Sequence, residues 1–211
     1  MASETVVYVV DDDQAVRTSM RRLIGQVDLG IETFSNATDF LENYSAEKIS
    51  CLILDVRMPG MSGIDLQKRL IEEGIEVPVI IVTGHGDIQM AVEAVRRGAI
   101  NFLEKPFRAQ VLLDSIQHAL DKDRLRRQRH VAAEEMNVRF ALLTEREREV
   151  VNEVVAGKTN KEIAKALGVT PQAIDARRSR AMSKLGVGTV PQLVECVLRH
   201  EWGQDSPSHA T

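Results

Sequence analysis

Five short runs, each apolar on both faces, constrain this chain more than any other feature. Thr5–Val10, Gly30–Phe34, Ser50–Leu54, Val77–Val82 and Ala99–Leu103 have β-type composition, and each is followed by a stretch with helical spacing. A strand such as Val6-Val7-Tyr8-Val9-Val10 can leave neither face in water, so helices must cover the sheet from both sides. Strands alternating with helices predict βαβ units in a doubly wound α/β fold with a five-stranded parallel sheet, filling roughly the first 120 residues. Gly74 and Gly98 sit just past the third and fourth helical stretches, where a left-handed residue ends a helix.

The pattern then changes. Leu112, Leu113, Ile116 and Leu120 keep helical spacing, Lys122–Arg129 turns basic, and no strand signal follows. Thr144-x-x-Glu147 and Thr159-x-x-Glu162 are capping boxes, and Thr170-Pro171 and Thr189 with Pro191 mark two further helix starts. The expected organisation is an α/β domain over 1–122, a helical linker over 123–141, an all-α four-helix domain over 142–202 and a tail over 203–211. Of the 211 residues, the first 122 hold 19 acidic and 12 basic side chains, a net −7, and the remainder 12 and 15, a net +3. Residues 154–188 carry Lys158, Lys161, Lys165, Arg177, Arg178, Arg180 and Lys184 against Glu162 and Asp175, a local +5 that fits a nucleic-acid footprint or a solvated helix face. Cys51 and Cys196 lie in apolar stretches without a Cys-x-x-Cys pair and read as core residues. With no apolar run near 18 residues and no basic segment before Val6–Val10, a cytoplasmic chain without membrane contact is expected.

In an open parallel sheet, ligands bind outside the carboxyl ends of the strands. Those ends carry Asp11-Asp12-Asp13, Asp55, Thr83-Gly84 and Glu104-Lys105-Pro106. Crowded carboxylates repel, and a hard divalent cation such as Mg²⁺ relieves that while one carboxylate stays free to react. The chemistry that suits the set is phosphoryl transfer onto Asp55, with Mg²⁺ held by Asp11 and Asp12 and with Lys105 and the Thr83 hydroxyl holding the developing charge. Asp11-x-Asp13 after an apolar strand also suits a haloacid-dehalogenase-like phosphatase, with Asp11 as nucleophile and Asp13 as general acid. That alternative expects Thr or Val where Gln14-Ala15 stands.

Val9-Val10-Asp11-Asp12-Asp13, Leu54-Asp55-Val56-Arg57-Met58-Pro59-Gly60-Met61-Ser62-Gly63, Val82-Thr83-Gly84-His85-Gly86 and Phe102-Leu103-Glu104-Lys105-Pro106-Phe107 resemble the receiver domain of bacterial response regulators. The resemblance implies strand order 2-1-3-4-5, a phosphoaspartate at Asp55, and a metal on Asp11, Asp12, Asp55 and the carbonyl of Arg57. It also implies a Thr83/Phe102 switch pair and a cis peptide before Pro106. Arg57 and His85 would border the site. The implied partners are a sensor histidine kinase and, after phosphorylation, a second copy of the chain, with Val92, Val95 and Arg96 at the interface.

Leu143-Thr-Glu-Arg-Glu-Arg-Glu-Val150, Gly157-Lys-Thr-Asn-Lys-Glu-Ile-Ala164, Leu167-Gly-Val-Thr-Pro171 and Met182-Ser-Lys-Leu185 are similar to the LuxR-type (NarL/FixJ) helix-turn-helix. Its second helix would bury Ile174 and Leu185 and turn Asp175, Arg177, Arg178, Ser179 and Arg180 toward a major groove. Lys158, Lys161 and Lys184 complete the expected DNA-contact set. Ala173-Ile174, Arg177 and Ala181 depart from the family pattern, which bears on base preference more than on fold. The resulting expectation is a regulator, not an enzyme, acting on promoter DNA and through RNA polymerase.

Overall fold

The computed structural model describes residues 5–84 and 88–204, in two compact units divided between Arg127 and Gln128. In the first, strands β1 (Thr5–Val10), β2 (Gly30–Phe34), β3 (Ile49–Asp55), β4 (Val79–Thr83) and β5 (Asn101–Glu104) form one sheet in the order β2-β1-β3-β4-β5. Every pairing is parallel. Helices α1 (Gln14–Ile24), α2 (Ala37–Asn43), α3 (Gly63–Glu72) and α4 (Ile88–Arg96) follow the first four strands, and α5 (Ala109–Ala141) follows β5.

The two-sided burial anticipated from the strand composition divides by residue parity. Val6, Tyr8, Val10, Leu52, Leu54, Val79 and Ile81 pack with Phe40, Leu66, Leu70 and Ala94 of α2, α3 and α4. Val7, Val9, Cys51, Ile53, Ile80 and Val82 pack with Met20 and Ile24 of α1 and with Leu112, Ile116 and Leu120 of α5. Two strand starts shift inward from the sequence expectation. Pro78 has no N–H to give a ladder, so β4 begins at Val79 while the Pro78 carbonyl still accepts from Leu52 N at 2.9 Å. Ala99 is used to close α4, its N–H reaching the Ala94 carbonyl at 3.0 Å, so β5 begins at Asn101.

The first unit also runs five residues past the expected boundary at 122. Asp123, fully buried, accepts from Ser50 N at 2.9 Å and is paired with Arg126 at 2.5 Å and Arg127 at 2.7 Å. Arg127 further donates to the carbonyls of Ala46 and Lys48, and Arg126 to Glu76. Two of the five cations in the basic run, Arg126 and Arg127, therefore belong to a buried-charge joint that fastens α5 to the amino-terminal end of β3.

The second unit contains the last part of α5 with α6 (Glu145–Val155), α7 (Asn160–Leu167), α8 (Pro171–Leu185) and α9 (Val190–Gln204). Thr144 and Thr159 cap α6 and α7 through complete capping boxes, and Thr170 caps α8 ahead of Pro171. The α7–α8 turn closes on Gly168 at φ +65°, a left-handed position that disfavours a side chain. Val150, Val151, Ile163, Ile174, Ala181, Leu185, Leu193 and Val197 form the core, with Met136 and Phe140 of α5 packed against it.

Among the described residues of this unit, one charged group is buried. Glu147 closes the Thr144 capping box and also receives Lys184 Nζ at 2.6 Å, with Arg180 Nε at 3.6 Å. The Lys184 hydrogen bond, then the Thr144 backbone, hold its carboxyl down to about 2 from an ordinary 4.5. A depressed folded value contributes stability that is fully present above about pH 4.5 and is lost as the pH falls toward 2. We expect a contribution on the order of 2–3 kcal/mol at neutral pH. Glu147→Gln should unfold at lower urea than wild type at pH 6, and the gap should narrow as the pH falls to 3; a pH-independent gap would contradict this.

Candidate phosphoacceptor site and DNA-binding surface

Because all five strands run in parallel, their carboxyl ends share one edge of the sheet. Asp11 follows β1, Asp55 ends β3, Thr83 ends β4 and Lys105 follows β5. Asp11, Asp12 and Asp55 each present a carboxylate oxygen, all within 4.8 Å of one another. Lys105 Nζ lies 2.7 Å from Asp11 Oδ2 and 3.6 Å from Asp55 Oδ1. Asp11 and Asp55 are buried while Asp12 is exposed. Burial pushes the Asp55 carboxyl up, Lys105 opposes that, and Asp11 adds to it.

Several local devices hold this geometry. Asp11 Oδ1 accepts from Asp13 N at 2.9 Å, and Arg17 donates to the Asp11 carbonyl. Lys105 N donates to the Thr83 carbonyl at 2.8 Å, and the Lys105–Pro106 peptide is cis. Thr83 is fully buried. Through the β4–β5 register, Ile81 pairs with Phe102 and Thr83 with Glu104, so Thr83 and Phe102 follow the face covered by α4. On α4, Val92, Val95 and Arg96 are exposed. Arg57 is exposed beside the acceptor, and His85 lies outside the described residues. Asp13, the general acid of the phosphatase alternative, serves as the N-cap of α1, accepting from Ala15 N at 2.7 Å.

The three acids and one ammonium leave a net negative site, and Asp55 Oδ1 is buried without a hydrogen-bond donor. That donor-poor oxygen, with two more carboxylates in reach, fits a hard divalent cation that keeps several waters. One positioning residue escaped the sequence reading. A Cβ on Gly63 would stand 2.1 Å from the Asp55 carbonyl oxygen and 3.1 Å from the Leu54 side chain, so only glycine lets α3 start this close to the acceptor strand. Its N–H also holds the Val56 carbonyl at 3.0 Å.

In the second unit, the cations of the expected DNA-contact set differ in what engages them. Lys184 is engaged by Glu147 and by the Leu142 carbonyl at 3.0 Å, which makes it a tie between α8 and the start of α6. Lys158 pairs with Glu153, and Arg178 with Asp175 and Asn160. Lys161 is exposed and Arg177 half-buried, and among the described residues no protein hydrogen bond or ion pair holds either one. Arg180 is mostly exposed and only loosely drawn to Glu147. With Ile174, Ala181 and Leu185 facing the core, the opposite side of α8 presents Gln172, Ser179 and Arg180. Gln172 was missed as a candidate; its place in the first turn, away from the apolar stripe, was the available signal.

Comparison with known proteins agrees with both halves. Residues 7–117 match the response regulator receiver domain, and residues 141–197 match the bacterial regulatory proteins of the luxR family. The chain belongs to the response regulators that join these two domains. It is 40% identical to the transcriptional regulatory protein TdiR of Thauera aromatica over 92% of this chain and 86% of that protein. It is 36% identical to the transcriptional regulatory protein FixJ of Bradyrhizobium diazoefficiens, over 94% of this chain and 97% of the relative. The solved structure of the response regulator StyR superposes with a TM-score of 0.84 at 41% identity, covering 92% of this chain and 98% of that one. The family is one of phosphorylation-dependent transcription regulators, and no helix among the described residues is long and apolar enough to cross a membrane.

Replacing Gly63 by Ala should drive α3 off the acceptor strand. Expected is a loss of about 2–3 kcal/mol in urea unfolding, together with slower phosphate uptake at Asp55. An unchanged unfolding midpoint would contradict the close approach.

Proposed function

We propose that a sensor histidine kinase phosphorylates Asp55 and that the phosphorylated chain binds promoter DNA as a dimer. The observation that carries this reading is the convergence of Asp11, Asp12 and Asp55 within 4.8 Å, with Lys105 spanning two of them. An Asp55 carboxylate oxygen attacks phosphorus as the bond to the donor's imidazole nitrogen breaks, giving an acyl phosphate and returning a neutral imidazole once it takes a proton. Asp11, Asp12, Asp55 and the Arg57 carbonyl would hold Mg²⁺, which supplies neutralisation of the phosphoryl oxygens when bound. Lys105, released from part of its pairing with Asp11, takes one of those oxygens, and the Thr83 hydroxyl takes another.

Drawing Thr83 toward the phosphoryl group opens room along the same face of the sheet for Phe102, which is half-buried against the core that includes Ala94 of α4. That remodels the α4 surface, where Val92 and Val95 stand about half exposed, and favours pairing with a second copy. Two helix-turn-helix units read two half-sites, so contacts too few to hold one unit add up in the pair. Arg177 is assigned to base reading, since a guanidinium pairs bidentately with guanine, and Lys161 to phosphate.

The test is phosphate incorporation from acetyl phosphate, read as the mass of the intact protein. Wild type should gain one phosphate in Mg²⁺, Asp55→Asn none, and excess EDTA should suppress the gain. Labelling of Asp55→Asn at the wild-type rate would overturn the acceptor assignment.

A further inference from the structure

Arg178 lies on the recognition helix and adds to its positive charge, yet its guanidinium is already committed within the protein. Nη1 donates to Asn160 Oδ1 at 3.1 Å and Nη2 to Asp175 Oδ1 at 2.6 Å, while Asn160 Nδ2 donates to the same Asp175 oxygen at 3.4 Å. The three side chains close a ring between the first residue of α7 and the first half of α8. The Arg178 side chain is 27% exposed against 57% for Asp175.

Resting on the reading of α8 as the recognition helix, we propose that Arg178 is a positioning residue: with Asn160 it locks the rotation of α8 against α7, and it neutralises Asp175 on the DNA-facing side. The apolar contacts of Ile163, Ala164 and Leu167 with Ile174 hold the two helices together, but dispersion is not directional and tolerates a turn of one helix about its axis. The two bonds that cross between the helices, from Arg178 Nη1 to Asn160 Oδ1 and from Asn160 Nδ2 to Asp175 Oδ1, are directional and do not tolerate it, while the Arg178–Asp175 bond within α8 holds the guanidinium plane in place for them. Rotation of α8 displaces every side-chain tip on its outer face, so the ring governs whether Gln172, Ser179 and Arg180 meet base edges. The second role is electrostatic. Asp175 without Arg178 would present a bare carboxylate to the phosphate backbone, and a charged bond of 2.6 Å is not given up readily for a screened phosphate.

The experiment uses the full chain treated with acetyl phosphate, one duplex selected from a random library by the wild-type protein, and one scrambled duplex. Affinities are measured at several salt concentrations, alongside thermal melts. Asn160→Ala and Arg178→Ala should each cut the preference for the selected duplex about tenfold, and the double variant should be no worse than either alone. Asn160→Ala removes no charge, so its salt slope should equal that of wild type. Arg178→Lys should not restore preference, because an ammonium lacks the fork. Adding Asp175→Ala to Arg178→Ala should recover part of the lost affinity on both duplexes. If Arg178→Ala proves unstable, Asn160→Ala carries the same comparison alone. A silent Asn160→Ala, with Arg178→Ala weakening both duplexes alike and flattening the slope by about one, would make Arg178 a phosphate contact and overturn the proposal. A loss confined to one position across single-base variants of the selected duplex, with Asn160→Ala silent, would make it a base reader and overturn it equally. Wild-type protein without preference for any duplex would instead sink the DNA-binding reading itself.

Discussion

Three carboxylates crowded on one sheet edge need a counter-charge, and the first unit is arranged so that Lys105 supplies it. The lysine comes from the far side of the sheet, across β4, and reaches both Asp11 and Asp55 because the parallel order brings the ends of β1, β3 and β5 to one edge. The arrangement is charge-deficient by design of its composition: one ammonium for three acids leaves the site able to attract a divalent cation and an oxyanion together. Gly63 and the Thr83 carbonyl serve this same edge, one by permitting α3 to start against Asp55 and the other by holding the Lys105 backbone.

The same principle recurs at two other buried carboxylates, with a different outcome. Asp123 and Glu147 are each held by several donors, arginines and a backbone amide in one case and a lysine and a capping amide in the other. Removing either partner of a buried charge so paired is costly, so these groups fix helix geometry as well as adding stability. Satisfied carboxylates locate helices; the under-neutralised cluster at the sheet edge is the one left with chemistry to do.

Much of this was legible from residue order. Runs apolar on both faces, such as Val6–Val10 and Val79–Val82, admit only a sheet covered twice, and the strand ends then name Asp11, Asp55, Thr83 and Lys105. Threonine followed three positions later by glutamate located α6 and α7. What escaped notice depends on partners distant in sequence. Arg127 looked like a linker cation because Ala46 and Lys48, its carbonyl partners, lie about 80 residues earlier. A charge count likewise cannot separate Lys184, spent on Glu147, from Lys161, which is exposed. Gly63 stood within a quoted motif, yet its reason is an approach so close that an added Cβ would stand 2.1 Å from the Asp55 carbonyl oxygen, which no spacing rule expresses.

The central claim is that the acidic edge of one unit controls DNA binding by the other. It is tested most directly by the affinity of the full chain for its selected duplex, with and without acetyl phosphate and Mg²⁺, in wild type and Asp55→Asn. The account predicts that treatment tightens wild-type binding at least about tenfold through pairing of two DNA-binding units, and leaves Asp55→Asn unchanged. Equal affinity for treated and untreated wild type, with phosphate verified on Asp55, would contradict it.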